Sequence, residues 1–353
     1  MEFQKFIHKK PYLIAGPCSA ESENQLLTIA KAVEGTADIF RAGVWKPRTK
    51  PNSFEGIGED ALKWLRKVQT ECKLKVATEV ATAKHVELCL DAGIDMLWIG
   101  ARTTVNPFYV QEIAEALKGV DIPVFVKNPI HPDIGLWLGA FERLNKSGIT
   151  QLSAIHRGFY SYEKLAFRND PKWELPIKLR EEVRDLSIIC DPSHISGNAS
   201  LIEDVSQTAM DLNMDGLMIE THNNPSKALS DANQQILPID LENILNNLIL
   251  RDAKLRDEAF KKEFDLGIQV HHVPLFIHGP KFLKPQKINN TAKLADLFPT
   301  LATIAKSDYT NFTLGSNALD TLKTDSFGFL YLKINGEPGL GLIQNDFYFT
   351  KTN

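Results

Sequence analysis

Short apolar, β-rich runs recur along the first two-thirds of the chain, and each ends in polar or glycine-rich residues. Eight stand out, at residues 11–17, 38–43, 75–80, 96–100, 123–128, 152–158, 187–192 and 216–221. Their starts lie 21 to 37 residues apart. The stretches between them carry apolar positions at helical spacing, as in residues 23–35, 59–71, 83–93 and 106–119. Strands alternating with helices of about 10–15 residues predict parallel βαβ units. Eight such units in about 245 residues match the count and length of a closed α/β fold, the (β/α)8 TIM barrel. A doubly wound open sheet is the alternative. It would carry fewer repeats and a glycine-rich first turn, and the first turn here, Gly16-Pro17-Cys18-Ser19, lacks the GxGxxG spacing.

Beyond residue 250 the pattern changes. A charged, helix-prone stretch gives way to apolar pieces without barrel periodicity, and two β-rich runs flank Asn335-Gly336, a hairpin signal. The expected organisation is a barrel over 1–255, a charged helix or linker over 256–270, and a small C-terminal α+β appendage over 271–353.

Composition narrows the class. With 353 residues, 43% hydrophobic and 24% charged, the chain can bury a large core and is not a disordered tail. A net charge of −4 argues against a dedicated nucleic-acid binder. No window approaches the ~18 consecutive apolar residues of a membrane span, and the N-terminus has no secretory apolar core, so a cytoplasmic protein is expected. Cys18, Cys72, Cys89 and Cys190 form no CxxC pair, which argues against a disulfide framework.

The active site of a barrel lies at the C-terminal ends of its strands. Read in order, those ends give Cys18, Arg41, Glu79, Arg102, Lys127, Arg157, His194 just after the seventh run, and Glu220. Any one of these could be a packing or surface residue; a charged or metal-capable residue at every end is harder to assign to chance. Cys18, His194, Glu220 and Asp231 make a sulfur, nitrogen and oxygen donor set suited to one divalent transition metal. Arg41, Lys46, Arg48, Arg102, Lys127 and Arg157 form a cationic group that needs anionic ligands, and arginine forks match phosphate and carboxylate oxygens. One or two substrates carrying those groups are expected. His156 and His222 are read as packing or loop residues. Asp191 and Ser193, beside His194, are read as partners that orient it or meet the substrate.

The motifs AGPCSAES, FRAGVWKPRTKPNSFEG, VATEV, WIGARTT, VFVKNP, AIHRG, ICDPSHISG and MIETHNNPSKALSDANQQ, spread over residues 8–255, resemble the 3-deoxy-D-arabino-heptulosonate 7-phosphate (DAHP) synthases of the type I beta class. The resemblance implies a transferase that condenses phosphoenolpyruvate with erythrose 4-phosphate and releases phosphate. This is the first step of the shikimate pathway towards chorismate and the aromatic amino acids. It implies metal ligands at Cys18, His194, Glu220 and Asp231, with Mn²⁺ foremost and Fe²⁺, Co²⁺ or Zn²⁺ as alternatives. It places phosphoenolpyruvate at Arg41, Arg102, Lys127 and Arg157, with Glu79 nearby, and erythrose 4-phosphate at Lys46-Pro47-Arg48-Thr49. Cys18, His194 and Lys127 are the expected catalytic residues, with Lys127 the candidate for proton delivery. A homo-oligomer, dimer or tetramer, is implied too. The related 3-deoxy-manno-octulosonate 8-phosphate synthases use arabinose 5-phosphate; their substrate loop differs from Lys46-Pro47-Arg48-Thr49, which favours the four-carbon sugar.

The barrel motifs begin near residue 10, leaving no room in this sequence for a regulatory domain before them, and the C-terminal tail lacks the long basic helices of a chorismate mutase. The tail instead resembles a C-terminal fragment of sulfatase and lipoteichoic-acid-synthase-like enzymes. It lacks their nucleophile and metal pair, and His271-His272 alone is weak evidence, so no hydrolase activity is expected from it. A non-catalytic fusion protein is the alternative from a different class.

Overall fold

The computed structural model describes residues 1, 3–4, 6–8, 11–47, 53–163, 165–250, 327–334, 337–344 and 347–352. The eight expected strands are all present: β1 (Tyr12–Gly16), β2 (Ile39–Arg41), β3 (Lys75–Val80), β4 (Met96–Ile99), β5 (Val124–Lys127), β6 (Leu152–His156), β7 (Ser187–Cys190) and β8 (Gly216–Glu220). They pair in sequence order, each parallel to the next, and β8 returns to β1 with Tyr12 opposite Gly216 and Gly16 opposite Glu220. The fold is a (β/α)8 TIM barrel.

Helices alternate with the strands because their apolar positions share one face and their ends are marked. The first, α1 (Glu23–Val33), starts where Ser22 accepts a hydrogen bond from the Gln25 amide, and buries Leu26, Ile29, Ala30 and Val33. After β2 comes α2 (Asp60–Cys72), which buries Leu62, Leu65 and Val68 and stops at Lys73 in the left-handed conformation. Thr82 caps α3 (Ala83–Asp91). After β4 a short α4 (Ala101–Thr104) precedes α5 (Pro107–Ala116), capped by Asn106 and opened by proline. Asp133 caps α6 (Ile134–Lys146). The circuit closes with α7 (Glu174–Glu182), α8 (Pro192–Ser196), α9 (Ile202–Asp211) and α10 (Pro238–Asn247).

Two apolar clusters result. The larger lies between the outer strand faces and the helices and includes Trp137, Phe141 and Leu144 of α6. The smaller fills the barrel interior with Ile14, Ile39, Ala77, Met96, Trp98, Phe125, Ile155, Ile189 and Met218. Phe6 stacks on Phe125 at 5.6 Å and Ile7 joins the same cluster, so an N-terminal segment covers the interior from the end opposite the C-terminal strand ends.

The chain divides into two compact units, Met1–Asp257 and Glu258–Asn353. In the second unit β9 (Phe327–Ile334), β10 (Glu337–Gln344) and β11 (Phe347–Thr352) form an antiparallel sheet in the order β11-β10-β9. Glu337 pairs with Ile334, so β9 and β10 run antiparallel on either side of the Asn-Gly hairpin signal, whose two residues lie outside the described ones. The third strand was not foreseen. The charged linker over 256–270, His271, His272 and the rest of the sulfatase-like stretch up to residue 326 lie outside the described residues, as do Arg48 and Thr49. Among the described residues no helix is long and apolar enough to cross a membrane.

Phe141 is fully buried in the outer cluster and meets the edge of Phe3 at 6.5 Å. Phe141→Ala is expected to destabilise the first unit by about 3–5 kcal/mol, read as a lower urea midpoint of the helical circular-dichroism signal.

Candidate active site

Side chains on a strand alternate between its two faces, so a residue two positions on stands on the same face. In every strand the interior apolar residue is followed, two positions later, by a residue of the mouth. Ile14 leads to Gly16, Ile39 to Arg41, Ala77 to Glu79, Trp98 to Gly100, Phe125 to Lys127, Ile155 to Arg157, Ile189 to Asp191 and Met218 to Glu220. The glycines serve the packing of this charged ring. A Cβ on Gly16 would collide with the Arg41 carbonyl, and one on Gly100 would collide with the Glu79 carboxylate.

The four expected metal donors come together as two couples. Cys18 Sγ lies 3.2 Å from Asp231 Oδ2, and His194 Nε2 lies 3.9 Å from Glu220 Oε1. Each couple is closed by a cation: Lys46 Nζ is 3.0 Å from Cys18 Sγ, and Arg41 donates to Glu220 Oε1 at 2.5 Å. Among the described residues no three His, Cys, Asp or Glu side chains converge closely enough to hold a metal as they stand. The donor chemistry nonetheless fits a divalent transition metal. His194 is prepared for ligation as well: Nδ1 lies 2.8 Å from Asp191 Oδ2, which leaves Nε2 facing Glu220.

Protonation follows from burial and neighbours. Burial pushes the Cys18 thiol up to about 12, with Glu220 adding to this and Lys46 opposing it. Burial also lowers the His194 pKa despite the neighbouring Asp191. Burial alone would raise the Glu220 carboxyl, but His194, Arg41 and Lys46 outweigh it and hold the pKa at about 2. Asp231 is likewise held well below the usual carboxylate range, where Arg168, His194 and Lys46 overcome its burial. A metal would therefore meet two carboxylates, a neutral imidazole and a thiol that must give up its proton.

The cations surround these donors. Lys127 Nζ pairs with Asp191 Oδ2 at 2.9 Å, both side chains being buried. Arg157 donates to Asn169 Oδ1 at 2.9 Å, and Arg102, on α4 and exposed, donates to the Pro47 carbonyl at 3.3 Å. Among the described residues neither Arg157 nor Arg102 has a carboxylate partner. Burial lowers the Arg157 pKa to about 10, with Arg168 and Arg102 adding to the effect against the pull of Asp191, and it stays charged at neutral pH. Six cationic heads (Arg41, Lys46, Arg102, Lys127, Arg157, Arg168) thus face four carboxylates (Glu79, Asp191, Glu220, Asp231). The surplus positive charge suits an anionic ligand. Beside Lys46, Pro47 and Glu79 opens a cavity of about 320 Å³, walled by Trp45 and His85, whose rings stack at 3.9 Å.

Several supporting residues went unrecognised in the sequence. Gln234 donates to Glu220 Oε2 at 2.7 Å, Gln235 accepts from the Cys18 amide at 2.9 Å, and Arg168 pairs with Asp231 at 2.9 Å. Asn169 donates to the His194 carbonyl at 2.6 Å while accepting from Arg157. The glutamines lie within the ALSDANQQ motif, a signal that was present; Arg168 and Asn169 sit in a long loop without pattern. Asp191 does orient His194, accepting from its amide through Oδ1 at 3.0 Å, and Ser193 accepts from the Glu220 amide at 2.9 Å. His222 Nδ1 accepts a loop hydrogen bond from the Asn224 amide at 2.8 Å. Cys72, Cys89 and Cys190 are buried free thiols in α2, α3 and β7.

His156 is fully buried against Phe159 and Trp173, and burial lowers its pKa from 6.5 to about 3. Between those values the unfolded chain holds a proton there that the folded chain does not. Stability is therefore lost as pH falls below about 6.5, by at most about 1.4 kcal/mol per pH unit from this residue. Comparing urea unfolding from pH 7 to 4 should show a shallower fall for His156→Gln than for the parent.

Comparisons with known proteins identify the family of the barrel. Residues 7–254 match the profile of the DAHP synthetase I family. The phospho-2-dehydro-3-deoxyheptonate aldolase of Thermotoga maritima is 31% identical over 260 residues, spanning 73% of this chain and 72% of that protein. A crystal structure of the Thermotoga maritima DAHP synthase superposes with a TM-score of 0.61 at 28% identity, covering 73% of this chain and 70% of that one. The 2-dehydro-3-deoxyphosphooctonate aldolase of Campylobacter jejuni subsp. doylei is 26% identical over 275 residues, 68% of this chain and 97% of that protein. Fold and sequence coincide over the barrel, and the chain belongs to the DAHP synthetase I family.

Proposed function

We propose that this enzyme condenses phosphoenolpyruvate with erythrose 4-phosphate to give 3-deoxy-D-arabino-heptulosonate 7-phosphate and inorganic phosphate. The observation that carries the reading is the pair Arg102 and Arg157, cations without carboxylate partners among the described residues, beside the buried Lys127–Asp191 pair. Such a group receives a substrate that brings phosphate and carboxylate together. The higher identity to a heptonate aldolase than to an octonate aldolase favours the four-carbon sugar.

In this reading Arg102, Arg157 and Lys127 hold phosphoenolpyruvate, and Lys46 and Pro47, with the adjoining 320 Å³ cavity, receive the sugar phosphate. Holding two anions at reacting distance removes association entropy and mutual repulsion from the barrier. Cys18, His194, Glu220 and Asp231 would hold the divalent metal, which when bound supplies Lewis-acid polarisation of the aldehyde. A bond forms between the methylene carbon of phosphoenolpyruvate and the aldehyde carbon, and the aldehyde oxygen takes up a proton. Lys127 Nζ, kept in place by Asp191, delivers it. Water adds to C2 and gives one proton back to Lys127 Nζ; the C2–oxygen bond of that hemiketal then breaks, the remaining C2 hydroxyl passes its proton to the departing phosphate, and the ketone forms. Arg157 and Arg102 stabilise the departing dianion.

Loss of phosphoenolpyruvate absorbance, followed in parallel with erythrose 4-phosphate and arabinose 5-phosphate, tests the substrate. Consumption with erythrose 4-phosphate alone, abolished by a chelator and restored by Mn²⁺, is the expected result; consumption with arabinose 5-phosphate alone would replace this reading with the octulosonate one. No consumption with either sugar from folded, metal-supplemented protein would leave the non-catalytic alternative.

Arg102→Ala removes an exposed charge with, among the described residues, a single backbone partner, so the fold should be unaffected. It is expected to raise KM for phosphoenolpyruvate by about 10–100-fold, the equivalent of about 1.5–3 kcal/mol for a charged hydrogen bond. An unchanged KM would remove Arg102 from the anion site.

A further inference from the structure

β4, like β1, contributes no side chain to the ring of charges: Gly100 and Gly16 stand where the other six strands present a functional group. The Glu79 carboxylate takes that space, and one same-face step before Gly100 on the strand stands Trp98, among the largest fully buried side chains of the described residues. It does more than close the interior cluster. The Arg41 guanidinium lies 4.9 Å from its ring centroid and the Lys127 ammonium 5.9 Å from it. Its indole Nε1 donates to Glu79 Oε2 at 2.9 Å. One side chain therefore touches two cations of the mouth and a carboxylate of opposite sign.

These contacts have one electrostatic consequence. Arg41 and Lys127 already have carboxylate partners in Glu220 and Asp191. A further carboxylate turned towards this group would compete with an incoming anion. The indole N–H holds Glu79 by its Oε2, Gly100 leaves room for Oε1, and the ring face offers the cations an attraction that needs no competing charge. A β-branched or aliphatic residue at the same position would fill the barrel but provide neither the N–H nor the ring.

We propose that Trp98 is a positioning residue for the anion site: it carries Arg41 and Lys127 on its ring and holds Glu79 aside, so that the mouth keeps its positive charge for phosphoenolpyruvate. The inference rests on the phosphoenolpyruvate reading of that mouth. Trp98→Phe keeps a ring face and loses the N–H; Trp98→Leu loses both.

The test uses the full chain, with steady-state kinetics of phosphoenolpyruvate and erythrose 4-phosphate for the parent and both variants. Tryptophan fluorescence is titrated separately with phosphoenolpyruvate and with inorganic phosphate. KM for phosphoenolpyruvate should rise about threefold in Trp98→Phe and about tenfold or more in Trp98→Leu, in each case by more than kcat falls. The anion-induced fluorescence change of the parent should be lost in Trp98→Phe, in which Trp45, Trp64, Trp137 and Trp173 remain. A residue that only packs would lower the melting temperature and leave KM in place. An unchanged KM in the folded variants, or the same fluorescence response in parent and Trp98→Phe, overturns the proposal. If Trp98→Leu does not fold, Trp98→Phe carries the test. A parent that consumes no phosphoenolpyruvate but shows a Trp98-dependent response to phosphate would sink the substrate reading and uphold this one.

Discussion

The structure depends on placing charge on top of an apolar plug. Ile14, Ile39, Ala77, Trp98, Phe125, Ile155, Ile189 and Met218 seal the barrel. One same-face step further along each strand the chain switches to charged groups or glycine. Charges at that depth are costly unless paired and hydrogen-bonded. The pairs Arg41–Glu220 and Lys127–Asp191 meet the requirement with almost no exposure to solvent. Removing one partner of either pair would leave the other as a buried, uncompensated charge, so the site is held as a unit. The loops beyond the strands extend the network: Gln234 holds Glu220, Gln235 holds the Cys18 amide, and Asn169 ties Arg157 to the His194 turn.

The same arrangement gives the mouth a surplus of positive charge. Its strongest internal pairs lie deepest, while Arg157 is half-buried and Arg102 exposed, each hydrogen-bonded only to neutral oxygens among the described residues. Charge that is matched below and unmatched above, beside the donors Cys18, His194, Glu220 and Asp231, is the feature on which the proposed binding of a dianion rests. With its thiol pushed up to about 12 by burial, Cys18 stays protonated beside Lys46, so a metal held there would have to displace that proton.

The sequence by itself determined the barrel. Eight β-rich runs separated by amphipathic helices leave few other closed arrangements, and the observed strands fall within the expected runs. It also determined the composition of the mouth, because strand periodicity sends residue n+2 to the same face as residue n, and polarity switches at that step in β2, β3, β5, β6, β7 and β8. The tertiary structure alone decided the partners. That Lys46 meets Cys18, that Asp191 serves Lys127 and His194 together, that Trp98 rises beneath Gly100 to touch Arg41 and Glu79, and that Gln234 reaches Glu220 are contacts across loops and between strands far apart in sequence. Local pattern fixes which face a side chain takes. Only barrel closure, with its stagger between strands and the path of each loop, fixes what that side chain meets there.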